Sequence, residues 1–237
     1  MTSSSVLPAR NLVGILEGSD PSLQSQAVAI GAHLDHVGAR DGKVYQGADD
    51  DASGSSGVLA LARAFAESPR RPARSVLFLL FAGEEKGLWG SRYFVDHPPI
   101  PLERVTAYIQ LDMIGRNEEH LQANEGPEEN LNSLHLVGSE RLSLDLHRAI
   151  VSANRYTGLD FEYDEEGVYR RSDQLSFAER GVPVAFFFTG FHPDYHQPSD
   201  TADKINYPKL ARVLRLVFIS AFELADRPAP LRRAGRL

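Results

Sequence analysis

The chain reads as an α/β sandwich on a mostly parallel sheet, and three features of the sequence point there. Short apolar runs of strand length alternate with segments of helical periodicity. One run, Ser75-Val76-Leu77-Phe78-Leu79-Leu80-Phe81, is apolar almost throughout, the pattern of a strand covered on both faces. A long amphipathic stretch from Tyr207 to Ala225 then closes the domain. With 237 residues, 42% hydrophobic and 24% charged, the expectation is one domain over residues 1–237, with loose ends at 1–10 and 227–237.

Taken in order, Asn11 to Leu16 and Ala27 to Ala32 read as short, mostly buried strands separated by the turn-forming Gly18-Ser19-Asp20-Pro21. A helix starts at Ser53 as N-cap, because Val58, Leu59, Leu61, Ala62 and Phe65 recur at helical spacing. Val105 to Met113 reads as a further strand. Asn117 to Asn132, with five glutamates and one proline, reads as a surface loop or insertion. Leu134 to Val137 follows as a strand, Ser143 to Ala153 as a helix and Pro183 to Phe188 as a buried strand.

Composition excludes several classes of function. The formal net charge is −7 and no Lys/Arg-rich block dominates, so a nucleic-acid partner is not expected. With no cysteine there is no disulfide, thiolate nucleophile, zinc ribbon or cysteine-held iron–sulfur cluster. Met1 to Arg10 has no apolar signal-peptide core, and the longest apolar run, Val76 to Ala82, is too short to span a bilayer. Neither a signal peptide nor a membrane partner is therefore expected of this chain; an exported form would need an upstream segment. The Gly-x-Ser-x-Gly elbow of serine hydrolases and the His-Glu-x-x-His helix of mononuclear zinc peptidases are both absent.

Five segments concentrate metal-capable side chains after strands or in nearby loops, where open α/β sheets collect their ligands. Ala32-His33-Leu34-Asp35-His36 closes the second strand; His33 can offer an imidazole, and Asp35, two positions on, points to the same side and could orient that ring. In Gly47-Ala48-Asp49-Asp50-Asp51-Ala52-Ser53-Gly54 three adjacent carboxylates repel one another unless solvated or neutralised by a cation, and a plain acidic helix start would look the same. The EF-hand pattern of alternate carboxylates is missing there. Phe81-Ala82-Gly83-Glu84-Glu85 sets two glutamates after the most hydrophobic strand, one able to ligate and its neighbour to act as a base. Asp112 ends an apolar strand, and His192-Pro193-Asp194-Tyr195-His196 forms a loop after Phe186 to Phe188. Each segment alone is equally the polar end of an ordinary strand or turn.

In this order, from about Asn11 to the final helix, AHLDH, GADDDASG, FAGEEKGLWGS, LDMIGR and HPDYHQPSDTADKIN resemble the M28 family of zinc aminopeptidases. The resemblance implies a three-layer, zinc-exopeptidase-like sandwich with a mostly parallel mixed sheet and two Zn2+ ions. Asp49 would bridge the ions, with His33 and Asp112 completing one site and Glu85 and His196 the other. Glu84 would be the general base, Asp35 the partner of His33, and Tyr195 would steady the tetrahedral oxyanion. A cis peptide is implied between Asp49 and Asp50. His36 and His192 are read as neighbours of the site, outside the ligand set. Relatives commonly carry Ser-Asp-His where this chain has Ser172-Asp173-Gln174, and glutamine cannot carry a histidine's charge or shuttle its proton. The implied reaction is removal of the first residue from peptides with a free N-terminus. The acidic surplus around Glu84, Asp173 and Asp49 to Asp51 suits the substrate ammonium, and Phe186 to Phe188 would favour an apolar first side chain. A glutaminyl-cyclase-like transferase with a single zinc and a carboxypeptidase on the same scaffold both stay open.

Overall fold

The computed structural model describes residues 8–119 and 131–233. Most of the acidic loop expected at Asn117 to Asn132, and the outermost parts of both expected loose ends, lie outside the described residues. Nine strands are present among the described residues: β1 (Leu12–Leu16), β2 (Ala27–His33), β3 (Ala39–Arg40), β4 (Lys43–Val44), β5 (Ser75–Phe81), β6 (Val105–Leu111), β7 (Ser133–Val137), β8 (Asp160–Glu162) and β9 (Val184–Phe188). The α-helices are α1 (Ala52–Glu67), α2 (Trp89–Asp96), α3 (Leu144–Ala153), α4 (Gln174–Ala178) and α5 (Tyr207–Asp226).

Seven strands form one mixed sheet in the order β1-β5-β2-β6-β9-β7-β8, and β3 pairs with β4 in a separate ribbon. The inner strands β5, β2, β6 and β9 run parallel, so their carboxyl ends open on one edge of the sheet. β1 and β7 join antiparallel. β5 and β2 are buried at every position, as their unbroken apolar runs require. β1 departs from expectation. It forms the sheet's edge, and Leu12, Val13 and Ile15 are exposed rather than buried.

The strand alternation divides two cores. Val28, Ile30, Val76, Phe78 and Leu80 face the side covered by Leu61 and Phe65 of α1, Ile150 of α3 and Val213 and Val217 of α5. Ala27, Ala29, Leu77, Leu79 and Phe81 face Phe94 of α2 and Phe177 of α4. Each fully buried side chain of Val, Leu or Phe size contributes about 1.5–3 kcal/mol, so the two cores are a large source of the fold's stability. α5 is capped by Asn206, whose side chain accepts the Lys209 N–H, and it carries Pro208 in its first turn, where no helical N–H is lost. α1 begins two residues earlier than a Ser53 cap implies. Its cap is Asp51, not Ser53, and the carboxylate accepts the Gly54 N–H at 2.9 Å. A Cβ on Gly54 would come within 2.4 Å of that oxygen, so this position needs a glycine.

The expected loose C-terminus is anchored as far as Arg233. The Arg232 N–H and guanidinium bind Asp145 on α3, Ser143 donates to the Arg232 carbonyl, and Arg233 donates to the Val105 carbonyl.

Candidate metal centre

His33 is the last residue of β2 and lies in register with Phe81, the last of β5, whose following loop carries Glu84 and Glu85. β6 delivers Asp112 one residue past Leu111, and the chain leaving β9 returns with His196. Adjacent parallel strands thus bring four separate segments to one edge.

Two groups of ligand atoms converge there and share one residue. His33, Asp50 and Asp112 form the first; His36, Asp50, Glu85 and His196 form the second. His33 Nε2 is 3.3 Å from Asp50 Oδ1 and 3.6 Å from Asp112 Oδ1. His196 Nε2 is 2.9 Å from Asp50 Oδ2 and 3.1 Å from Glu85 Oε1. Asp50 therefore turns one oxygen to each group.

Here the structure corrects the expected bridge. Asp49 is fully buried and faces away: Oδ1 accepts the Gly115 N–H at 2.7 Å and Oδ2 lies 3.2 Å from His192 Nε2. Asp51 also faces inward, accepting backbone N–H groups of His33, Gly54 and Met113. The outer two aspartates fasten the loop to the β6 side, and only the middle one is free to look into the cleft. Asp200 completes the clamp by accepting the N–H groups of Asp49 and Asp50. The non-proline cis peptide lies between Asp50 and Asp51, one position later than expected.

Asp35 is also used differently from expectation. His33 Nδ1 is met by the Asp35 carbonyl oxygen at 2.9 Å, whereas the carboxylate is 4.0 Å away. That carboxylate instead accepts the N–H groups of Gly83, Glu84 and Glu85. It positions the glutamate pair rather than the imidazole. Asp112 is steered by Ser172, whose hydroxyl donates to Asp112 Oδ2 at 2.6 Å, a contact with no signature in the spacing of the sequence.

Electrostatics separate the two adjacent glutamates. Burial pushes Glu84 up to about 9, with the nearby Asp112 adding to the effect. Burial acts the same way on Glu85, but the neighbouring His196 and His36 outweigh it and bring Glu85 down to about 2. His196 is drawn up to about 9 by Asp50 and Glu85. Burial thus favours a proton on Glu84 and the imidazoles a charge on Glu85, and a divalent cation beside the pair would lower Glu84 toward the ionised form that a base needs.

The donors fit divalent zinc-class ions: imidazole nitrogen and carboxylate oxygen, borderline and hard, grouped at ligand-to-ligand spacing. Within the second group, Glu85 Oε1 and both His36 nitrogens are buried with no hydrogen-bond partner, as atoms reserved for a cation are.

Both groups apart from His36 line one cleft together with Glu84, Met113, Val168, Arg171, Ser172, Phe186, Phe188, Phe191 and Tyr195. Phe186 and Phe188 reach this wall, whereas Phe187 packs into the opposite core, as strand alternation dictates. Tyr195 stacks on His196, and its hydroxyl accepts an N–H from Arg171 at 3.2 Å. His192 pairs with Asp49 and stays outside both groups; His36, read as a neighbour, belongs to one. Gln174, at the usual histidine position, is buried and donates to the Tyr169 carbonyl at 2.8 Å.

The model of peptidase family M28 matches residues 11–220, and the chain belongs to that family. It is 29% identical over 214 residues to a protein of Trichophyton verrucosum described as a probable leucine aminopeptidase, covering 86% of this chain and 56% of that one. It is 27% identical over 226 residues to aminopeptidase YwaD of Bacillus subtilis, covering 92% of this chain and 45% of the relative. Among solved structures it is similar to the LapA aminopeptidase of Legionella pneumophila, with a TM-score of 0.76, 28% identity and coverage of 92% and 56%. It is also similar to BSAP, a zinc aminopeptidase from Bacillus subtilis, with a TM-score of 0.71, 25% identity and coverage of 90% and 49%. The chain spans about half the length of these relatives.

Proposed function

We propose that this chain is a zinc aminopeptidase catalytic unit that holds two ions and removes the first residue of peptides with a free N-terminus. The observation that carries the reading is Asp50, one carboxylate turned to two ligand groups, with Glu84 lining the same cleft. His33 and Asp112 complete one ion's set, and Glu85 and His196 the other's. When bound, the ions supply Lewis-acid polarisation of the scissile carbonyl and a more acidic water.

The chain's own residues do the rest. Glu84 takes a proton from the attacking water as the new C–O bond forms, then hands it to the leaving amine as the C–N bond breaks. Asp35 keeps Glu84 in place through the backbone N–H bonds it accepts. Tyr195 accepts its hydrogen bond from Arg171, which leaves the phenol O–H to donate to the substrate carbonyl oxygen. Met113, Val168, Phe186 and Phe188 offer an apolar wall to the first side chain.

Metal analysis combined with a peptide panel tests this. Two zinc-class ions per chain are expected, with cleavage of Leu-initiated peptides and near inertness of their N-acetylated forms. Saturation at one ion with full activity favours the cyclase-like reading. Equal cleavage of acetylated peptides, or loss of cleavage only on C-terminal amidation, rejects the aminopeptidase. Glu84→Gln is expected to keep both ions and lose about a hundred- to ten-thousand-fold in kcat.

A further inference from the structure

The expected ligand set gives each ion one imidazole. The second group contains two, because His36 lies in it beside His196. Its Nδ1 is 3.0 Å from Glu85 Oε1 and 3.7 Å from Asp50 Oδ2, the same two oxygens that His196 Nε2 meets at 3.1 and 2.9 Å. Four ligand atoms from four residues therefore surround one point, against three in the group around His33.

The ring of His36 is built in. Its side chain is 9% exposed, and neither nitrogen has a hydrogen-bond partner. Glu85 Oε1 is likewise without one, so two buried polar atoms face each other at 3.0 Å without making a hydrogen bond. Such an arrangement is costly unless a third body lies within reach of both atoms, and a cation is the body that both lone pairs attract. Gly47 makes the room. It sits at φ +62°, and a Cβ there would come within 2.6 Å of His36 Cγ. The rings of His36 and His196 meet edge-on with centroids 5.5 Å apart, as two imidazoles turned toward a common centre can.

We propose that His36 is a direct ligand, through Nδ1, of the ion held by Asp50, Glu85 and His196. The inference rests on the two-metal reading above and extends its ligand set. That position then has four protein ligands, two nitrogen and two oxygen, the closed set of a retained ion. The His33–Asp50–Asp112 position has three and keeps an open place for water or substrate. The two ions accordingly differ in affinity, and the one at His36 is bound first and released last.

The test uses the intact chain, stripped of metal and titrated with Co(II) as the probe. In the wild type, two binding steps are expected, the tighter one at the His36 position. Fully loaded protein is expected to give three strongly shifted imidazole N–H resonances, from His33, His36 and His196. His36→Ala and His36→Asn are each expected to lose one of these and to weaken the tighter step by at least about 10–100-fold, the cost known for lesser outer-shell changes, leaving the other step unaltered. Two shifted imidazoles in the wild type, or unchanged affinities in both variants, overturns the assignment of His36 while leaving the two-metal reading intact. Failure of the wild type to bind Co(II) at all overturns both. Because the resonance count is taken on the wild type, the test stands even where a variant folds poorly.

Discussion

Asp49, Asp50 and Asp51 carry identical side chains in successive positions, yet their surroundings give them separate tasks. The outer two accept backbone N–H groups in the buried interior, and the middle one spans the two imidazole groups. Replacing Asp50 by Asn is expected to abolish binding at both metal positions, measured as ions per chain after dialysis. Asp49→Asn is expected to retain both ions and instead to lose about 1–3 kcal/mol of stability in denaturant unfolding, because the charged partner of His192 and Gly115 is gone. Metal loss in Asp49→Asn with retention in Asp50→Asn would falsify this division. The sequence could place a carboxylate run here but not its register, because three adjacent aspartates offer no periodicity from which to choose. Asp35, expected to orient His33, turns its carboxylate elsewhere for a related reason. Two-residue spacing indicates which side of a strand the side chain takes, but β2 ends at His33, and beyond it the backbone turns the carbonyl to the ring and the carboxylate to Gly83 to Glu85. His33, Glu84, Glu85, Asp112 and His196 each close a strand or lie in the loop after one, as the polar ends of ordinary strands do, and it is the order of the five motifs, through their resemblance to M28, that singles them out.

Among the elements, the loop carrying Tyr195 and His196 depends on Asp194. Its carboxylate accepts from Arg116 at 3.1 Å, Lys204 at 2.6 Å and Ser199 at 2.5 Å, joining the loop to the segment after β6 and to the turn before α5. Burial alone would raise its pKa, but Lys204, Ser199 and Arg116 prevail and hold it well below the usual carboxylate range. The sign follows. A carboxylate lowered in the folded state contributes stability above its unfolded pKa of about 4, and that contribution is lost as pH falls through the lower folded value. Asp194→Asn is expected to cost about 1–2 kcal/mol at pH 7, with the gap to wild type closing in acid unfolding below about pH 3. A gap that persists undiminished at pH 2 contradicts the account. Element legibility tracked the strength of the pattern. β5 and α5 had unbroken apolar or amphipathic signals and were readable to within a residue or two. α2 went unread because Trp89 and Tyr93 are exposed on it and only Gly90, Ser91, Phe94 and Val95 are buried, too short a stripe to announce a helix.

For the molecule as a whole, the fold and the metal centre draw on separate sources of stability. Both cores are apolar and lie against the two faces of the sheet, whereas the ligand groups sit at its carboxyl edge. Removing metal should therefore leave the chain folded, unlike small zinc domains whose folding energy is the binding energy. It should still lower the melting temperature, because ions that bind only the folded state stabilise it by mass action, about 2.7 kcal/mol for each ion at a hundredfold excess over its Kd. For a chain of this size, about 1 kcal/mol shifts Tm by roughly 2–4 °C, so each ion accounts for about 5–10 °C. The expected outcome is a far-UV circular dichroism spectrum unchanged by chelation, a Tm lowered by that amount per ion removed, and a Tm that climbs with the logarithm of free zinc on reloading. Collapse of the spectrum on chelation would mean that the carboxyl-edge loops hold the sheet together. An unchanged Tm after verified metal removal would mean that the two groups take up no ion at the concentrations used. The pattern expected here is that of a preformed site on a scaffold that does not need it to fold.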